Sequence, residues 1–277
     1  MNKIPIFFGL HAQPGPKFNV CLALIPFILL VAVYLVASDY RHRKNPSDKL
    51  LPTVTKMYDA MKRAAFVKHK RTGKYQLWSD SGNSLKRIGI GLGASAISGM
   101  FLGLNLGLFP GIRALGLPFV TFVSIIPPLA ILPILFVTFG VDELAKVVLI
   151  FIGTFPFITR DIYLEVKRIP REQIIKSLTL GASQFAVAYR VVVPQIVPKV
   201  IDTVRLNMGP AWLFLIASEA IAATSGLGYR IFLVRRYLAM DTIIPYVLWI
   251  VLIGFTVDWL LRKTVQWKYS WYLESEG

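Results

Sequence analysis

The sequence predicts an all-α integral membrane protein with about six transmembrane helices. Hydrophobic residues make up 55% of the 277-residue chain and charged residues only 17%, whereas a soluble domain carries roughly 25% charged residues. So few charges cannot cover a water-exposed surface, which indicates that the solvent is lipid. The length accommodates about six apolar spans of ~20 residues, each long enough to cross a bilayer, plus their loops.

The charge balance is strongly basic, with a formal net charge of +16. In a soluble protein this would point to nucleic acid. In a membrane protein basic residues gather in the loops that flank the spans, so we predict no nucleic-acid partner. The single cysteine, Cys21, excludes an internal disulfide framework and a multi-cysteine zinc site.

The first apolar run covers residues 20–37, carries no charge and follows a short basic head. It exceeds the usual length of a signal-peptide core, which favours a retained helix over a cleaved leader. Residues 38–80 then form the longest polar stretch, which is rich in lysine and arginine. Within it, helical spacing of apolar residues predicts an amphipathic helix over 53–66 that lies at the membrane surface.

The second span is predicted over 84–109 and is rich in glycine. Gly99, Gly103 and Gly107 recur every four residues, so they share one helical face and favour close packing against another helix. The alternative is that these glycines line a substrate path. The candidate N-caps of this helix are the polar residues just before it, which are Asp80, Ser81 and Asn83.

The third span, 117–139, contains four prolines. Proline removes a backbone hydrogen bond, and freed carbonyls inside a membrane must be buried in protein or face a wet cavity. We therefore predict a broken helix of the kind found beside transport paths, with a kink that only aids packing as the alternative. The prolines are Pro118, Pro127, Pro128 and Pro133.

The remaining spans are predicted over 144–162, 206–223 and 243–261. Two ionisable residues fall inside them, and a charge in lipid is costly enough to suggest a function. Glu219 either contacts a solute or pairs with an arginine near the membrane face, and Asp258 is predicted to pair with Arg262 at an i,i+4 spacing. Polar, aromatic and helix-breaking residues at depth are the candidate lining of a translocation path: Ser124, Pro127, Pro128, Asn207, Trp212, Ser218 and Glu219.

Motifs of catalysis are missing from the sequence. There is no Gly-x-x-x-x-Gly-Lys-Ser/Thr phosphate loop, no His-Glu-x-x-His zinc motif and no Gly-x-Ser-x-Gly elbow. We therefore predict a chain that is not an enzyme and holds no metal or cofactor of its own.

The polar segment between the fourth and fifth spans carries the most information. Pro170 and Glu172 are typical of a helix start, and Gly181 with the residues after it is typical of a stop and restart. Pro194 and Pro198 are expected to bar a regular helix at the exit. Residues 169–198, called the elbow below, are thus predicted to form two short amphipathic helices outside the lipid that can transmit force from a partner.

Here the sequence resembles the permeases of binding-protein-dependent ABC importers. Leu180-Gly181-Ala182-Ser183 followed by Val193-Pro194 is similar to their coupling-loop signature, and Ile126-Pro127-Pro128-Leu129-Ala130 and Ser218-Glu219-Ala220 before Gly226-Leu227-Gly228 extend the match. The likeness covers residues 50–265 and is to the branch that imports nitrate, sulfonates, taurine and bicarbonate. One departure is that Ile175-Lys176-Ser177 occupies the positions of the family's Glu-Ala-Ala triplet.

The resemblance implies a type I importer architecture in the bacterial inner membrane. Two permease subunits, identical or different, would form the path, two cytosolic ATPase subunits would bind ATP and Mg²⁺, and an extracytoplasmic solute-binding protein would deliver solute. The resemblance also divides the chain into three parts. Residues 1–80 hold the N-terminal head, the first span and the basic polar loop, residues 81–265 form a core permease domain with its coupling loop at 164–198, and residues 266–277 are a short cytoplasmic tail. The residues it implies for coupling are Ile175, Lys176, Ser177, Leu178, Leu180, Gly181, Ala182, Ser183, Phe185 and Pro194.

Charge does not settle the orientation. With the elbow in the cytoplasm, the usual cytoplasmic excess of lysine and arginine is missing. The basic external loop, with Arg230, Arg235 and Arg236, would then attract an acidic solute-binding protein or an anionic solute. Alternatively, residues 38–80 lie on anionic lipid headgroups.

Two other functions are weaker. A secondary transporter or channel without ATPase coupling would need paired ionisable residues or an inverted repeat, and the sequence indicates neither. A membrane enzyme would need a metal or nucleophile cluster. An anion path also requires that an arginine offset Glu219, and a cationic or neutral solute is the alternative.

Overall fold

The computed structural model describes residues 15–70 and 73–272. Regular structure there is helical apart from one isolated bridge between Lys68 and Tyr75, which confirms the all-α class. Residues 1–14 of the predicted head, Arg71 and Thr72 of the basic loop, and residues 273–277 of the tail lie outside the described residues. The helices are α1 (Pro16–Lys44), α2 (Val54–Phe66), α3 (Gln76–Leu108), α4 (Pro110–Ile125), α5 (Leu132–Phe139), α6 (Glu143–Arg168), α7 (Arg171–Thr179), α8 (Gln184–Val187), α9 (Val193–Leu206), α10 (Met208–Ala222), α11 (Leu227–Arg235) and α12 (Met240–Lys268).

Six spans are available in the described chain. Four helices, α1, α3, α6 and α12, are each long and apolar enough to cross a membrane. Two bent pairs, α4 with α5 and the 184–206 helix with α10, make up to six if each pair is one span. The helices are longer than the apolar runs predicted from the sequence. At each end the hydrogen-bonded backbone continues for some turns of polar residues beyond the lipid.

The first span stands apart from the others. None of the most apolar window of α1 is buried against the rest of the chain. Its end is tied to the loop before α2, where the Tyr34 hydroxyl donates to the carbonyl of Pro52 over 2.7 Å and Arg41 Nε lies 2.7 Å from the Asp48 carboxylate. The amphipathic helix predicted over 53–66 is α2, which buries Ala60, Ala64 and Ala65 and packs against α3 and α12.

The core is built on α3 packed along α6. A Cβ added at Gly103 would lie 2.7 Å from the carbonyl oxygen of Thr159, and one at Gly99 would lie 2.9 Å from Ile158. At Gly107 the added carbon would collide with Val166. The three glycines therefore form the predicted packing seam, because only a missing side chain permits so close an approach.

The third span is broken, as its prolines predict. Helix α4 ends at Ile125, a 3₁₀ turn covers Pro128–Ile131, and α5 continues at an angle of 81°. The span begins at Pro110 rather than at 117, since Pro110 suits the first turn of a helix.

The exit of the elbow differs from the prediction. Instead of a break at Pro194 and Pro198, helical backbone runs from Gln184 to Leu206, with a π turn over Ala188–Val192. Pro194, which cannot donate the regular backbone bond, directly follows this π turn, where the i→i−4 ladder is already interrupted. Pro198 is buried inside α9, and packing of an amphipathic face supplies more helix stability than one backbone bond.

Two further predictions are wrong. Helix α3 begins at Gln76 with Tyr75 at its N-cap, so Asp80, Ser81 and Asn83 lie inside the helix rather than capping it. Asp258 is 3.6 Å from Arg205 of α9 and not paired with Arg262. A contact with a packed neighbouring helix displaced the local i,i+4 pair.

Candidate functional site

The elbow has the stop and restart that its sequence predicts. Helix α7 ends at Thr179, and Gly181 adopts φ +86°, a left-handed conformation that glycine tolerates best. The chain restarts at Ser183, whose hydroxyl accepts a hydrogen bond from the N–H of Ala186 over 3.2 Å. The turn therefore fixes the angle between α7 and α8.

The outer surface of the elbow includes exposed apolar side chains around the Gly181 turn. Leu180 is 87% exposed and Phe185 71%, and the Phe185 ring lies 4.4 Å from that of Tyr189. Exposed apolar side chains gathered in one place typically mark an interaction surface. The structure places the ten predicted coupling residues on this segment: Ile175, Lys176, Leu178, Leu180, Gly181, Ser183, Phe185 and Pro194 are exposed, and Ser177 and Ala182 are half-buried.

The inner side of the elbow packs against the membrane-spanning helices. Ile174, Leu178 and Val187 line a groove of about 240 Å³ together with the junction of α3 and α4 at residues 108–110. Gln195 donates to the Gln173 side chain over 3.2 Å, which joins α9 to α7. A displacement of the elbow therefore reaches both the α3–α4 junction and α9.

Five of the predicted path residues lie at or near two bends, whereas Ser218 and Glu219 lie near the far end of α10. Ser124 is half-buried at the end of α4, followed by Pro127 and Pro128 at the break. Asn207 is buried at the 43° bend before α10, where Trp212 is also buried. The 3₁₀ turn after the break contacts α10, so the broken third span lies against the fifth.

The polar atoms of the predicted path residues are mostly engaged within their own helices. Ser124, Asn207 and Ser218 each donate to a backbone carbonyl three or four residues earlier. The indole N–H of Trp212 is different, because it is buried without a hydrogen-bond partner in the described residues. An unpartnered buried donor is costly and is available to a passing polar group.

Glu219 occupies a buried polar cluster at the end of the molecule opposite the elbow. Its side chain is 0% exposed and its Oε1 accepts from Arg87 Nη1 over 2.5 Å and from the Ser84 hydroxyl over 2.8 Å. Arg87, only 2% exposed, also binds Glu143 through Nε and Nη2, each over 2.6 Å. The predicted partner arginine of Glu219 is therefore Arg87. We call Ser84, Arg87, Glu143, Glu219 and Ser225 the Arg87 cluster.

The cluster also holds the turn before α11. Leu227 N–H donates to the Ser84 hydroxyl over 2.9 Å and Gly228 N–H to Glu219 Oε2 over 2.8 Å. Gly226 has φ +124°, and a Cβ there would collide with the Glu219 carboxylate. The Gly-Leu-Gly motif thus presents bare backbone donors to buried side chains.

Sequence analysis identified Glu219 and missed the rest of the cluster. The sequence places Arg87 and Glu143 near the starts of the second and fourth spans, and no local pattern joins them. The available signal is charge: a buried glutamate requires an opposite charge, and Arg87 stands just before the apolar stretch of α3.

Of the three arginines expected to face outward, Arg230 differs from the prediction. It is largely buried, with Nε 2.8 Å from the carboxylate of Asp80, whereas Arg235 and Arg236 are exposed. The neighbouring Ser81 hydroxyl accepts from the Trp249 indole over 2.9 Å. Across residues 15–70 and 73–272, no group of three or more His, Cys, Asp or Glu side chains is arranged to hold a metal.

Comparison with known families gives one match. Residues 95–267 match the family described as the binding-protein-dependent transport system inner membrane component.

Similar proteins come from several transport systems. The taurine transport system permease protein TauC of Escherichia coli (strain K12) is 31% identical over 198 residues, which is 72% of either chain. The bicarbonate transport system permease protein CmpB of Synechococcus elongatus is 28% identical over 69% of this chain and 68% of its own. The putative aliphatic sulfonates transport permease protein SsuC of E. coli is 29% identical over 54% of this chain and 58% of its own.

A solved structure shares the fold. A chain of the MetNI methionine ABC transporter in an inward-facing conformation aligns with a TM-score of 0.54 at 20% identity, over 68% of this chain and 93% of that chain.

Proposed function

Since the chain belongs to the family of binding-protein-dependent transport system inner membrane components, we propose how its parts divide the work of an ATP-driven importer. The chain is a multi-pass permease of the inner membrane and not the enzyme of the system. The elbow receives force from an ATPase, the helices transmit it, and the bent spans line the solute path.

The observation that carries this proposal is the exposed apolar face of the elbow on a turn fixed by Gly181. Two cytosolic ATPase subunits, which hold ATP and Mg²⁺, would each bind one elbow. Ile175 replaces an acidic residue of the family signature and is 60% exposed, so contact with the ATPase is apolar here rather than ionic. Closure of the ATPases on ATP would bring the two elbows together and open the path.

The solute we propose is a small anion or zwitterion of the sulfonate, taurine, nitrate or bicarbonate type. Supporting this, similar permeases carry the names taurine, aliphatic sulfonates and bicarbonate. Glu219 does not oppose an anion path, since Arg87 and Ser84 engage its carboxylate. Ser124, Asn207 and Trp212 at the two bends, with Ser218 further along α10, are the proposed lining, beside Pro127 and Pro128.

The complex would contain further partners. A second permease subunit, identical or different, completes the path, and a solute-binding protein docks at the end opposite the elbow. Within the chain, residues 81–265 act as the core permease domain and 164–198 as its coupling loop. Residues 1–80 and 266–277 lie outside this domain.

A matched pair of substitutions tests the coupling surface. Phe185 and Phe66 are exposed to nearly the same extent, 71% and 72%, and lie at opposite ends of the molecule. Phe185→Ser should abolish co-purification of the ATPase and uptake of taurine or ethanesulfonate, whereas Phe66→Ser should leave co-purification intact. Equal co-purification in both variants would refute the proposed surface.

A labelling experiment tests the orientation. With Cys21 replaced by serine, a cysteine introduced at Ser183 on the elbow should be labelled by an impermeant maleimide only in inside-out vesicles. One at Ser47, an exposed residue beyond the far end of α1, should be labelled only in right-side-out vesicles. The reversed pattern would place the elbow outside and end the ATPase proposal.

A further inference from the structure

A basic cavity lies at the end of the molecule opposite the elbow. It measures about 380 Å³ and is an open concavity bordered by α2, residues 67–70, the first residue of α3, α11 and α12. Its lining includes the cations Arg63, Lys68, Lys70 and Arg230, the imidazole of His69, and no aspartate or glutamate. Several cations around one concavity create a positive potential that selects an anion.

A buried hydroxyl of this cavity has no partner. Tyr246 of α12 lines the cavity, is 1% exposed, and its Oη makes no hydrogen bond to any described residue. Leaving such a group unsatisfied costs free energy, and native proteins rarely do so without a ligand or water. A ligand oxygen in the cavity would satisfy it.

Arg230 is held as a fixed donor beside this hydroxyl. The Asp80 carboxylate, 2% exposed, binds Nε over 2.8 Å and Nη2 over 3.5 Å. Asp80 engages Nε and Nη2 but not Nη1, so the guanidinium is oriented and still has a donor to offer on the side of Tyr246. Fixed donors lose little entropy when they bind an oxyanion, which favours affinity.

The surroundings fit a membrane interface. Trp78 and Trp249 make an edge-to-face pair with ring centroids 5.7 Å apart beside the Asp80–Arg230 pair, and Phe66 and Val67 next to the cavity are exposed apolar residues. Aromatic side chains gather at the level of lipid headgroups. An anion reaching this cavity would therefore come from a headgroup or from the adjoining water.

We propose that this cavity is a binding site for a phosphate-type oxyanion, with Tyr246 Oη, Arg230 and the flexible Lys68 and Lys70 as its donors. A tetrahedral oxyanion presents several acceptor oxygens, and donors of both fixed and mobile kinds surround it here. The same chemistry is offered by the headgroup of an anionic phospholipid and by free phosphate. The site is separate from the elbow and from the bent spans, and its existence does not depend on coupling to an ATPase.

The lipid arm uses the full chain in nanodiscs of phosphatidylcholine with phosphatidylglycerol as a minor component. After detergent extraction, native mass spectrometry counts the phosphatidylglycerol retained by each protein. Tyr246→Phe and the double variant Lys68→Gln/Lys70→Gln should each lower retention about tenfold, the effect of losing hydrogen bonds to a charged group. The matched control, Lys62→Gln/Lys74→Gln, removes the same charge from exposed positions that do not line the cavity and should stay within about twofold of wild type.

The free-anion arm uses nanodiscs of phosphatidylcholine alone. Inorganic phosphate should raise the thermal midpoint of the wild type above that in chloride at equal ionic strength, and Tyr246→Phe should abolish the rise. If the cavity variants lower the retention of phosphatidylglycerol in the first arm, the site binds lipid. If they abolish the thermal shift caused by phosphate in the second arm, the site binds a free anion.

Two results would overturn the proposal. One is that neither arm separates Tyr246→Phe and Lys68→Gln/Lys70→Gln from the wild type. The other is that the two double variants lose binding equally, which would mean a general attraction to positive charge. Misfolding does not confuse the test, because removing an unpartnered hydroxyl should leave the anion-free thermal midpoint of Tyr246→Phe unchanged or higher.

Discussion

The Arg87 cluster and the elbow lie at opposite ends of the same helices and have opposite surface chemistry. At the cluster, the charged atoms of Arg87 and Glu219 are buried and bonded to one another and to neighbouring backbone. At the elbow, Leu180 and Phe185 expose most of their apolar surface. The cluster satisfies its bonding within the chain, whereas the elbow leaves apolar surface uncovered.

The difference suggests a mechanical division of the molecule. Helix α6 starts at Glu143 of the cluster and ends at Arg168 beside the elbow, and α9 with α10 makes the same connection in reverse. On the proposed function, the cluster is the fixed end about which these helices tilt when the elbow is moved. Substitutions at the cluster should then affect stability, and substitutions at the elbow should affect coupling.

The largest effect is expected from Arg87→Met. It leaves Glu219 buried with no compensating charge, and breaking a buried pair in this way costs about 3–5 kcal/mol. Chemical unfolding in detergent, followed by tryptophan fluorescence, measures the loss.

The double variant Arg87→Met/Glu219→Gln is its control. Removing both charges should recover part of the lost stability, because no buried charge is then left without a partner and Glu143, which also loses Arg87, is 66% exposed to solvent. If the single and double variants were equally destabilised, the pair would not be what holds this end together.

A smaller effect is expected from Gly103→Ala in the α3–α6 seam. The new methyl group would lie 2.7 Å from a backbone oxygen of α6, and such overpacking costs about 1–3 kcal/mol. Gly93→Ala is the matched control, since no atom lies within 4 Å of its added Cβ and alanine favours a helix over glycine. The two variants should shift the thermal midpoint in opposite directions, and equal shifts would contradict the seam.

Gly181→Val should change coupling more than global stability. There is open space around the position, but φ +86° costs a branched residue about 1–2 kcal/mol, which the exposed turn relieves by changing its angle. In proteoliposomes of the assembled transporter, less solute should be imported per ATP hydrolysed. Gly181→Asn should retain the wild-type ratio, since asparagine tolerates the left-handed conformation. An unchanged ratio in Gly181→Val would count against the elbow as the coupling element.

Sequence analysis succeeded where a local pattern determines the structure. The glycine seam, the proline break and the Gly181 turn each follow from a spacing or a backbone constraint within a few residues. It failed where partners are distant in the chain: Asp80 appeared to be a helix cap, yet it binds Arg230, and Asp258 binds Arg205. The predicted break at Pro194 and Pro198 is wrong for a related reason, because α9 is stabilised by packing against other helices.

The smallest effect concerns the loop that joins α1 to α2 near the cluster end. The hydrogen bonds from Arg41 lower the pKa of the Asp48 carboxyl to about 2 from its ordinary 3.8. A depressed carboxyl pKa stabilises the folded loop above pH 3.8, and that contribution declines as the pH falls towards 2. With Cys21 replaced by serine, a fluorophore on a cysteine at Ser47 should keep its anisotropy from pH 7 to about 4 and lose it below. Asp48→Asn should lower the anisotropy already at pH 7, and a pH response that survives this substitution would show that another group fastens the loop.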